Sequence, residues 1–213
     1  DPTFRKARYG QAISYVRFLF MKMHRELFRD EVLAELLPPL EPDGTSHLWD
    51  ALGRHFTGLT YAEADRLSKK NKEFIRGLFP EGTIYASLLP QVAQDVIGKV
   101  GAQTKGVEKM LRRIGFRYAE RVDPFDGGPH FTAPTDEISL VSRAHKVTVE
   151  AVIGAEPTVK DRSLVAVDLA TTPFFHAALA AAKVEGDHAT IDEATAKRLG
   201  VGVGSELWVL SLD

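Results

Sequence analysis

Cysteine is absent from the 213 residues of this sequence. Its absence excludes disulfides, thiolate metal sites, iron–sulfur clusters and acyl-cysteine intermediates. Long hydrophobic runs are absent as well. The longest uncharged run covers residues 169–182, which is shorter than the roughly 20 residues that a membrane-spanning helix needs. Both absences are typical of a cytoplasmic protein without a membrane segment.

An excess of one charge sign is also missing. Lysine and arginine number 27 against 29 aspartates and glutamates, which gives a net charge of -2. No overall field therefore draws the protein to nucleic acid or to an anionic membrane. The basic runs Lys69–Lys72 and Arg112–Arg113 have no interleaved aromatics and are typical of solvated helix faces. The seven histidines form no HExxH or HxH pair, so we expect no metal site and no nucleic-acid partner.

The apolar share of 44% is enough for a hydrophobic core, and the spacing of the apolar residues predicts helices and strands. Near the start, Ile13, Val16, Phe20, Met23 and Leu27 follow each other at intervals of three and four, which predicts one apolar face on a helix. Capping residues, prolines and glycines delimit further elements. Together with the first one, the predicted helices cover 11–29, 46–54, 60–78, Pro90 through about Val100, and 104–115. A buried strand is predicted over 32–37 and another strand over 116–122.

The last third of the sequence has a different pattern, in which alternating and apolar stretches predict strands. A helix opens at Thr190–Glu193, which has the form of a capping box, and ends at Gly200. We therefore expect two domains. The first covers 1–135, and the second is a small β-rich domain with one helix over 136–213. The predicted strands of this second domain cover 145–153, 164–169 and 206–212.

A basic turn precedes the first predicted helix. It contains Arg5, Lys6 and Arg8 and is followed by Gly10 and Gln11. Backbone N–H groups at a helix N-terminus bind anions through their free donors and the helix dipole. Cations at this end are unfavourable for the helix alone, and a bound phosphate would relieve that conflict. The turn is therefore a candidate phosphate site, and the alternative is a solvated basic turn.

A second candidate site is a turn rich in glycine and proline that contains Asp123 and Asp126 and ends at His130. Rigid loops of this composition often carry function. The two carboxylates suit a guanidinium or ammonium group, and His130 is of the residue type that titrates near neutral pH. The alternative is a turn in which the aspartate side chains bond to nearby backbone amides.

A set of short segments, taken together and in their order along the chain, forms a recognisable pattern. The segments are Asp1–Pro2 with Arg5–Lys6 and Gly10, Gly53–Phe56, Phe74–Ile75 with Ile84–Tyr85, Ala93–Gly98, Gly115–Tyr118 and Phe125–Pro129. Together they resemble the arginine N-succinyltransferase family, whose fold is that of the acyl-CoA N-acyltransferases (GNAT-like), and the resemblance covers nearly the whole chain. It implies an α/β (α+β) protein in which 1–135 is the C-terminal portion of a GNAT-like acyltransferase sheet with its helices, followed by the small β-rich domain.

The resemblance implies transfer of a succinyl group from the co-substrate succinyl-CoA to the α-amine of L-arginine in bacterial arginine catabolism, without a permanently bound cofactor. In the family, a loop Arg/Gln-x-x-Gly-x-Gly/Ala binds the CoA pyrophosphate. It corresponds to Arg5–Gly10 here, with Arg8 in place of the first glycine. Because the early strands of the sheet precede this loop in the family, we expect an N-terminal part, covalent or nicked, to complete the enzyme. Homo- or hetero-oligomers are implied as well.

The proton donor is where this sequence departs from the family, because the family's histidine corresponds to Gly101. We expect His130, or else His55, to act as the acid or base instead. With no cysteine present, direct transfer in a ternary complex is favoured over an acyl-enzyme. Asp123 and Asp126 are the candidates for binding the substrate guanidinium. Two alternatives stay open: another amine substrate such as ornithine, or a non-catalytic homologue that binds CoA or a partner.

Overall fold

The computed structural model describes residues 9–212, which form two compact units. One unit is Glu31–Ala133, and the other combines the described residues up to Asp30 with those from Pro134 onward. The expected boundary near residue 135 coincides with one junction between the units. Residues 9–30, however, belong to the unit of the C-terminal strands, so the chain passes between the units twice.

Helix α1 spans Tyr9–Met23 and is followed by a 3-10 turn over Arg25–Leu27. This confirms the predicted helix over 11–29, but its buried face is not the predicted one. Ile13 and Leu27 are each 70% exposed, although their spacing assigned them to the apolar face. A helix with apolar residues on several sides has no unique stripe, and packing selects which side is buried. The buried residues are Ala12, Tyr15, Phe18, Leu19 and Met21.

Three strands form the sheet of the unit Glu31–Ala133: β1 at Glu31–Glu35, β2 at Arg117–Val122 and β3 at Pro129–Pro134. Their order across the sheet is β1-β3-β2, so the last strand in the chain lies in the centre. β2 and β3 form an antiparallel hairpin in which Tyr118 lies opposite Phe131. The predicted strands over 32–37 and 116–122 are confirmed in position. The prediction of a buried first strand is wrong, because β1 alternates between exposed and half-buried residues.

The helices of this unit are short. The helix predicted over 104–115 is confirmed as a helix that stops before Gly115. The helix predicted from Pro90 is instead a single turn, although Ala93 and Val96 are buried as expected. The helix predicted over 46–54 contains a π-helical turn at Trp49–Gly53. The α-helices are α2 at Arg54–Thr57, α3 at Tyr61–Ser68, α4 at Glu73–Leu78, α5 at Gln91–Gln94 and α6 at Lys105–Arg113.

Local side-chain hydrogen bonds set both the start of α3 and the break between α3 and α4. The Thr60 side chain accepts a hydrogen bond from the Glu63 N–H, and the Glu63 carboxylate accepts one from the Thr60 N–H at 2.9 Å, so the predicted capping box at the start of α3 is confirmed. Further along, the Asn71 side chain accepts a hydrogen bond from the Glu73 N–H at 2.7 Å. Such a bond competes with a continuous helix, and the predicted helix over 60–78 becomes two.

Trp49 is the centre of the core of this unit and is fully buried. Its ring packs against those of Phe125, Phe79 and Tyr61, with centroid distances of 4.4, 5.8 and 6.5 Å. Its indole N–H donates to the Leu59 carbonyl at 2.9 Å. The Tyr61 and Phe125 rings also contact each other, at 5.5 Å. This aromatic cluster fixes the start of α3 against the turn that follows β2.

The other unit is built on a six-stranded sheet, in which one neighbouring pair is parallel and the other four are antiparallel. The three strands predicted for this region are confirmed, and three shorter or less regular ones were not predicted. The strands are β4 at His145–Ile153, β5 at Ser163–Asp168, β6 at Phe175–Ala180, β7 at Lys183–Glu185, β8 at His188–Asp192 and β9 at Glu206–Ser211. Their order is β6-β5-β9-β4-β8-β7, with β4 parallel to β8.

Two helices, α7 at Ser139–Arg143 and α8 at Glu193–Leu199, accompany this sheet. The helix after β8 was predicted, but its proposed capping box is wrong, because Thr190 lies within β8. The cap is Asp192, whose carboxylate accepts hydrogen bonds from the Thr195 N–H and O–H at 2.9 and 2.7 Å. Among residues 9–212, no helix combines the length and the apolar character that crossing a membrane requires.

Candidate functional site

The turn between β2 and β3 is held in shape by its own aspartates. Asp123 Oδ1 accepts a hydrogen bond from the Phe125 N–H, and Asp126 Oδ1 accepts one from the Gly128 N–H, both at 2.8 Å. Gly127 has a φ of 84°, a conformation that favours glycine. The aspartates thus bond to nearby amides, as the structural alternative proposed, and the second oxygen of each carboxylate is left for other partners.

Asp126 is a buried carboxylate, 7% exposed, whose Oδ2 accepts a hydrogen bond from the Tyr61 O–H at 3.0 Å. Burial raises the pKa of Asp126, although the hydrogen bonds from Gly128 and Tyr61 act in the opposite direction. Burial and the charge of Asp126 raise the pKa of Tyr61, so the tyrosine remains a neutral donor at physiological pH. A buried carboxylate whose charge is only partly compensated is well suited to receive a cation.

Asp126 forms part of the wall of a cavity of about 330 Å³. This volume lies at the lower end of the range for small-molecule sites and fits a ligand of the size of an amino acid. Four carboxylates and one ammonium group, that of Lys72, line the cavity. The excess of negative charge favours a cationic ligand group. The carboxylates are Glu35, Asp65, Asp123 and Asp126, and Tyr61, Ser68 and Ile75 lie beside them.

The carboxylates of the cavity differ in their partners. Asp65 Oδ2 accepts a hydrogen bond from the Lys69 ammonium at 2.8 Å, and Glu35 Oε1 lies 3.8 Å from His130 Nε2. No hydrogen bond from residues 9–212 reaches Asp123 Oδ2. The structure therefore brings Asp123 and Asp126 together as the sequence predicted, with one unoccupied carboxylate oxygen at Asp123.

His130 lies on β3 and is connected to the cavity through β1. Its Nε2 is buried and has no hydrogen-bond partner among residues 9–212, and a carboxylate oxygen of Glu35 lies 3.8 Å away. Because Glu35 lines the cavity and His130 does not, the carboxylate separates the imidazole from a ligand. The His130 imidazole and the Glu35 carboxylate therefore form a pair that reaches the cavity through Glu35.

His55 lies in a different place. It belongs to α2 and lines a second cavity of about 420 Å³ together with His47 and Asp50. None of the carboxylates of the first cavity lines this second one, so the structure does not bring His55 to Asp123 and Asp126. Within residues 9–212, no group of three or more histidines, aspartates or glutamates is arranged to hold a metal ion.

Gly101, the position of the family's histidine, has no room for a side chain. A Cβ there would collide with the Pro38 carbonyl and lie 2.7 Å from the Gln103 side chain. The Gly101 N–H donates to the Leu37 carbonyl at 2.8 Å, and Leu37 lines the cavity. The absence of a side chain therefore lets this loop pack directly on the segment that forms one wall of the cavity.

The predicted phosphate site is only partly within the described residues. Gly10 and Gln11 lie in the first turn of α1, which contains no acidic residue. A Cβ at Gly10 would meet no atom of residues 9–212 within 4 Å. Arg5, Lys6 and Arg8 lie outside the described residues. The CoA pyrophosphate site at these five positions remains a prediction.

Four cavity residues were missed by reasoning from the sequence: Tyr61, Asp65, Ser68 and Lys72. Their intervals of four, three and four residues assign them to one side of a helix, and this was the available signal. It was overlooked because a polar helix face is typical of solvent exposure. Glu35 gave no signal at all, since its role depends on the neighbouring strand and not on its own segment.

Comparison with known proteins supports an acyltransferase assignment. A family model described as arginine N-succinyltransferase beta subunit matches residues 1–140, a range that contains the whole unit Glu31–Ala133 and its cavity. The arginine N-succinyltransferases of Escherichia coli O139:H28 (strain E24377A / ETEC) and Shigella boydii serotype 18 (strain CDC 3083-94 / BS512) are each 38% identical over 150 residues. These residues are 70% of this chain and 44% of each relative.

A solved structure gives the same result. The structure of arginine/ornithine succinyltransferase subunit AI from Pseudomonas aeruginosa matches with a TM-score of 0.77 and 29% identity, over 96% of this chain and 58% of that one. The chain thus spans about half the length of the relatives it matches. The match confirms the mixed α/β, GNAT-like fold class that the resemblance implied. Since the family model covers more than half of the chain, this protein belongs to the arginine N-succinyltransferase family.

Proposed function

We propose that this chain contributes to an enzyme that transfers the succinyl group of succinyl-CoA to the α-amine of L-arginine. Family membership supports the reaction class, and the acidic cavity around Asp123 and Asp126 is the observation that carries the proposal for the substrate. A guanidinium is a planar cation that pairs with carboxylates through parallel N–H bonds. A neutral ligand would leave the charge of the cavity uncompensated.

In this proposal the substrate guanidinium contacts Asp123 and Asp126. Asp123 contributes its unoccupied oxygen, and Asp126 is already oriented by hydrogen bonds from Tyr61 and Gly128. A group that is oriented before the ligand arrives binds it at a lower entropic cost. The raised pKa of Asp126 supports the same assignment, because a bound cation would offset the burial of its charge.

The chemistry requires the α-ammonium of the substrate to lose a proton before its nitrogen attacks the thioester carbonyl. We assign this proton to the pair of His130 and Glu35. As the new N–C bond forms and the tetrahedral intermediate collapses, the C–S bond breaks and CoA leaves as a thiolate. A thiolate is a better leaving group than an amine or an alkoxide and needs little help from an acid, so a glycine at position 101 is compatible with turnover.

The co-substrate is proposed to bind at the start of α1, where Arg5, Lys6, Arg8, Gly10 and Gln11 would contact the CoA pyrophosphate. An N-terminal part, either covalently joined or nicked, would complete the acyltransferase sheet. We place the enzyme in the cytoplasm, as a homo- or hetero-oligomer, with succinyl-CoA as co-substrate and no permanently bound cofactor.

Ornithine is the second candidate substrate, because the related Pseudomonas aeruginosa protein is described as an arginine/ornithine succinyltransferase subunit. An ammonium is a compact charge without the fork geometry of a guanidinium. We expect arginine to be preferred, since Asp123 and Asp126 lie side by side in one turn and suit a group with several N–H donors. The ratio of kcat/KM for arginine and ornithine measures this preference.

The experiment that tests the proposed function follows thiol release from succinyl-CoA by the full-length protein. We expect release that depends on arginine, and a loss of about 10- to 100-fold in kcat/KM for Asp123→Asn, because a hydrogen bond to a charged group is removed. Asp95→Asn is the matched control, since Asp95 is an exposed carboxylate that accepts a hydrogen bond from the Gln91 side chain and does not line the cavity. Binding of CoA without thiol release in the presence of either amine would identify a non-catalytic homologue and overturn the proposal.

A further inference from the structure

Lys72 is the only cation among the described residues that line the acidic cavity. Within residues 9–212 its ammonium takes part in no hydrogen bond or ion pair, although four carboxylates line the same cavity. Lys69, one turn earlier, is by contrast paired with Asp65 at 2.8 Å. Lys72, which is exposed, therefore presents to the cavity a positive charge that forms no ion pair within residues 9–212.

Lys72 and Asp126 are associated with opposite ends of α3. Asp126 accepts a hydrogen bond from Tyr61 at the start of this helix, and Lys72 follows its end, as the residue before α4. Between Tyr61 and Ser68 the helix rises by about 10 Å. An arginine side chain has five bonds between Cα and the guanidinium carbon, which gives an extended length of roughly 6 Å. The rise of α3 is therefore of the same order as the length of an arginine molecule.

We infer that Lys72 binds the α-carboxylate of the amino-acid substrate and thereby selects amino acids over decarboxylated amines. This inference rests on the proposed function, because it takes the guanidinium to lie at Asp123 and Asp126. Held at both charged ends, the substrate leaves its α-amine as the one polar group without a partner in the cavity. That is the group which has to attack the thioester.

The inference predicts a distinct pattern of specificity. Agmatine has the guanidinium of arginine but no carboxylate, so it cannot use Lys72. A site that contributes a charged hydrogen bond to one ligand and not to the other discriminates between them by about 10- to 100-fold. Because a carboxylate remote from the reacting centre is held equally in the ground state and in the transition state, the effect belongs in KM and not in kcat.

The test compares L-arginine with agmatine in the full-length enzyme and in Lys72→Met. We expect the wild type to prefer arginine by about 10- to 100-fold in kcat/KM, and Lys72→Met to lose this preference by a rise in KM for arginine alone. Lys72→Arg should restore most of the preference, since it keeps the charge. Lys70→Met is the control, because Lys70 belongs to the same basic run but does not line the cavity.

Three outcomes separate this inference from its alternatives. If the wild type uses agmatine as well as arginine, or if Lys72→Met weakens both substrates by the same factor, the inference is wrong. Binding of arginine and agmatine is also measured by equilibrium titration without succinyl-CoA. A preference for arginine that depends on Lys72 in this titration supports the inference even if no succinyl group is transferred, and a lack of transfer would then count against the proposed function alone.

Discussion

The two units of this chain differ in what surrounds their buried residues. In the unit of the six-stranded sheet, the core consists of side chains such as Val149, Val165 and Ile191, which are completely buried. Each unit also buries one aspartate: Asp192 in the sheet unit is 5% exposed, and Asp126 in the unit Glu31–Ala133 is 7% exposed. The Asp192 carboxylate accepts two hydrogen bonds from Thr195, whereas Asp126 lines a cavity together with three other carboxylates.

This difference supports the proposal that the cavity is a functional site. A buried carboxylate that faces other carboxylates costs stability, and it persists only where another requirement outweighs that cost. Local departures from the rules of folding are expected at sites of this kind. The comparison between the units therefore makes a claim about each. Substitutions in the sheet unit, apart from those at the proposed CoA site at the start of α1, should change stability alone. Substitutions around the cavity should change stability and ligand binding together.

The largest stability effect is expected at Gly101, where the loop packs against the cavity wall. Gly101→Ala should lower the free energy of unfolding by about 1–3 kcal/mol, because a Cβ collides with the Pro38 carbonyl. Gly106→Ala is the matched control. Gly106 lies in α6 with no atom near its missing Cβ, and alanine there should stabilise the protein by about 0.5–1 kcal/mol. Urea unfolding measures both, and equal changes in the two variants would contradict the packing argument.

A smaller effect is expected in the sheet unit at the cap of α8. Asp192→Ala removes the acceptor for the Thr195 N–H and O–H and should cost about 1 kcal/mol. The kcat/KM for arginine should not change, because this residue belongs to the unit without the cavity. Asp187→Ala, at an exposed position of the same unit, serves as the control. A loss of activity in Asp192→Ala at a temperature where the variant remains folded would contradict the claim that this part of the sheet unit affects stability alone.

The sheet unit was predictable where its strands leave a period in the sequence. Alternating residues over 145–153 and the apolar stretch at 164–169 gave strands at the observed positions, because burial on one or both faces leaves a period in the sequence. The strand β6 was not predicted, since it lies in an uncharged run of alanines without such a period. The cap of α8 was misplaced from Asp192 to Thr190 because both residues are good caps, and only the end of β8 decides between them.

The site was predictable only where one segment carries it. Asp123 and Asp126 share a turn of unusual composition, and the sequence alone was enough to select them. Tyr61 and Lys72 reach the same cavity from a different part of the chain, through the packing of aromatic rings around Trp49. A contact of that kind depends on how segments far apart in the sequence pack together, which no local pattern encodes.

The smallest effect concerns pH and compares one buried carboxylate in each unit. Burial raises the pKa of Asp126 above the ordinary 3.8, so the folded state binds this proton more tightly than the unfolded state. Burial acts in the same direction on Asp192, but the hydrogen bonds from Thr195 outweigh it and lower the pKa of Asp192 below 3.8. The two groups therefore make contributions of opposite slope to the pH dependence of stability.

Urea unfolding of the wild type, Asp126→Asn and Asp192→Asn between about pH 3 and pH 7 measures these slopes. The stabilisation that Asp126 contributes relative to asparagine should decline as the pH rises from 3.8 through its raised pKa, because ionisation of the buried group opposes folding. The stabilisation from Asp192 should be complete above 3.8 and be lost as the pH falls through its lowered pKa. Saturating arginine should flatten the first slope and leave the second unchanged, since only the charge of Asp126 would be compensated by a bound guanidinium. Slopes of the same sign, or a response of Asp192 to arginine, would mean that the difference between the units does not arise from the cavity.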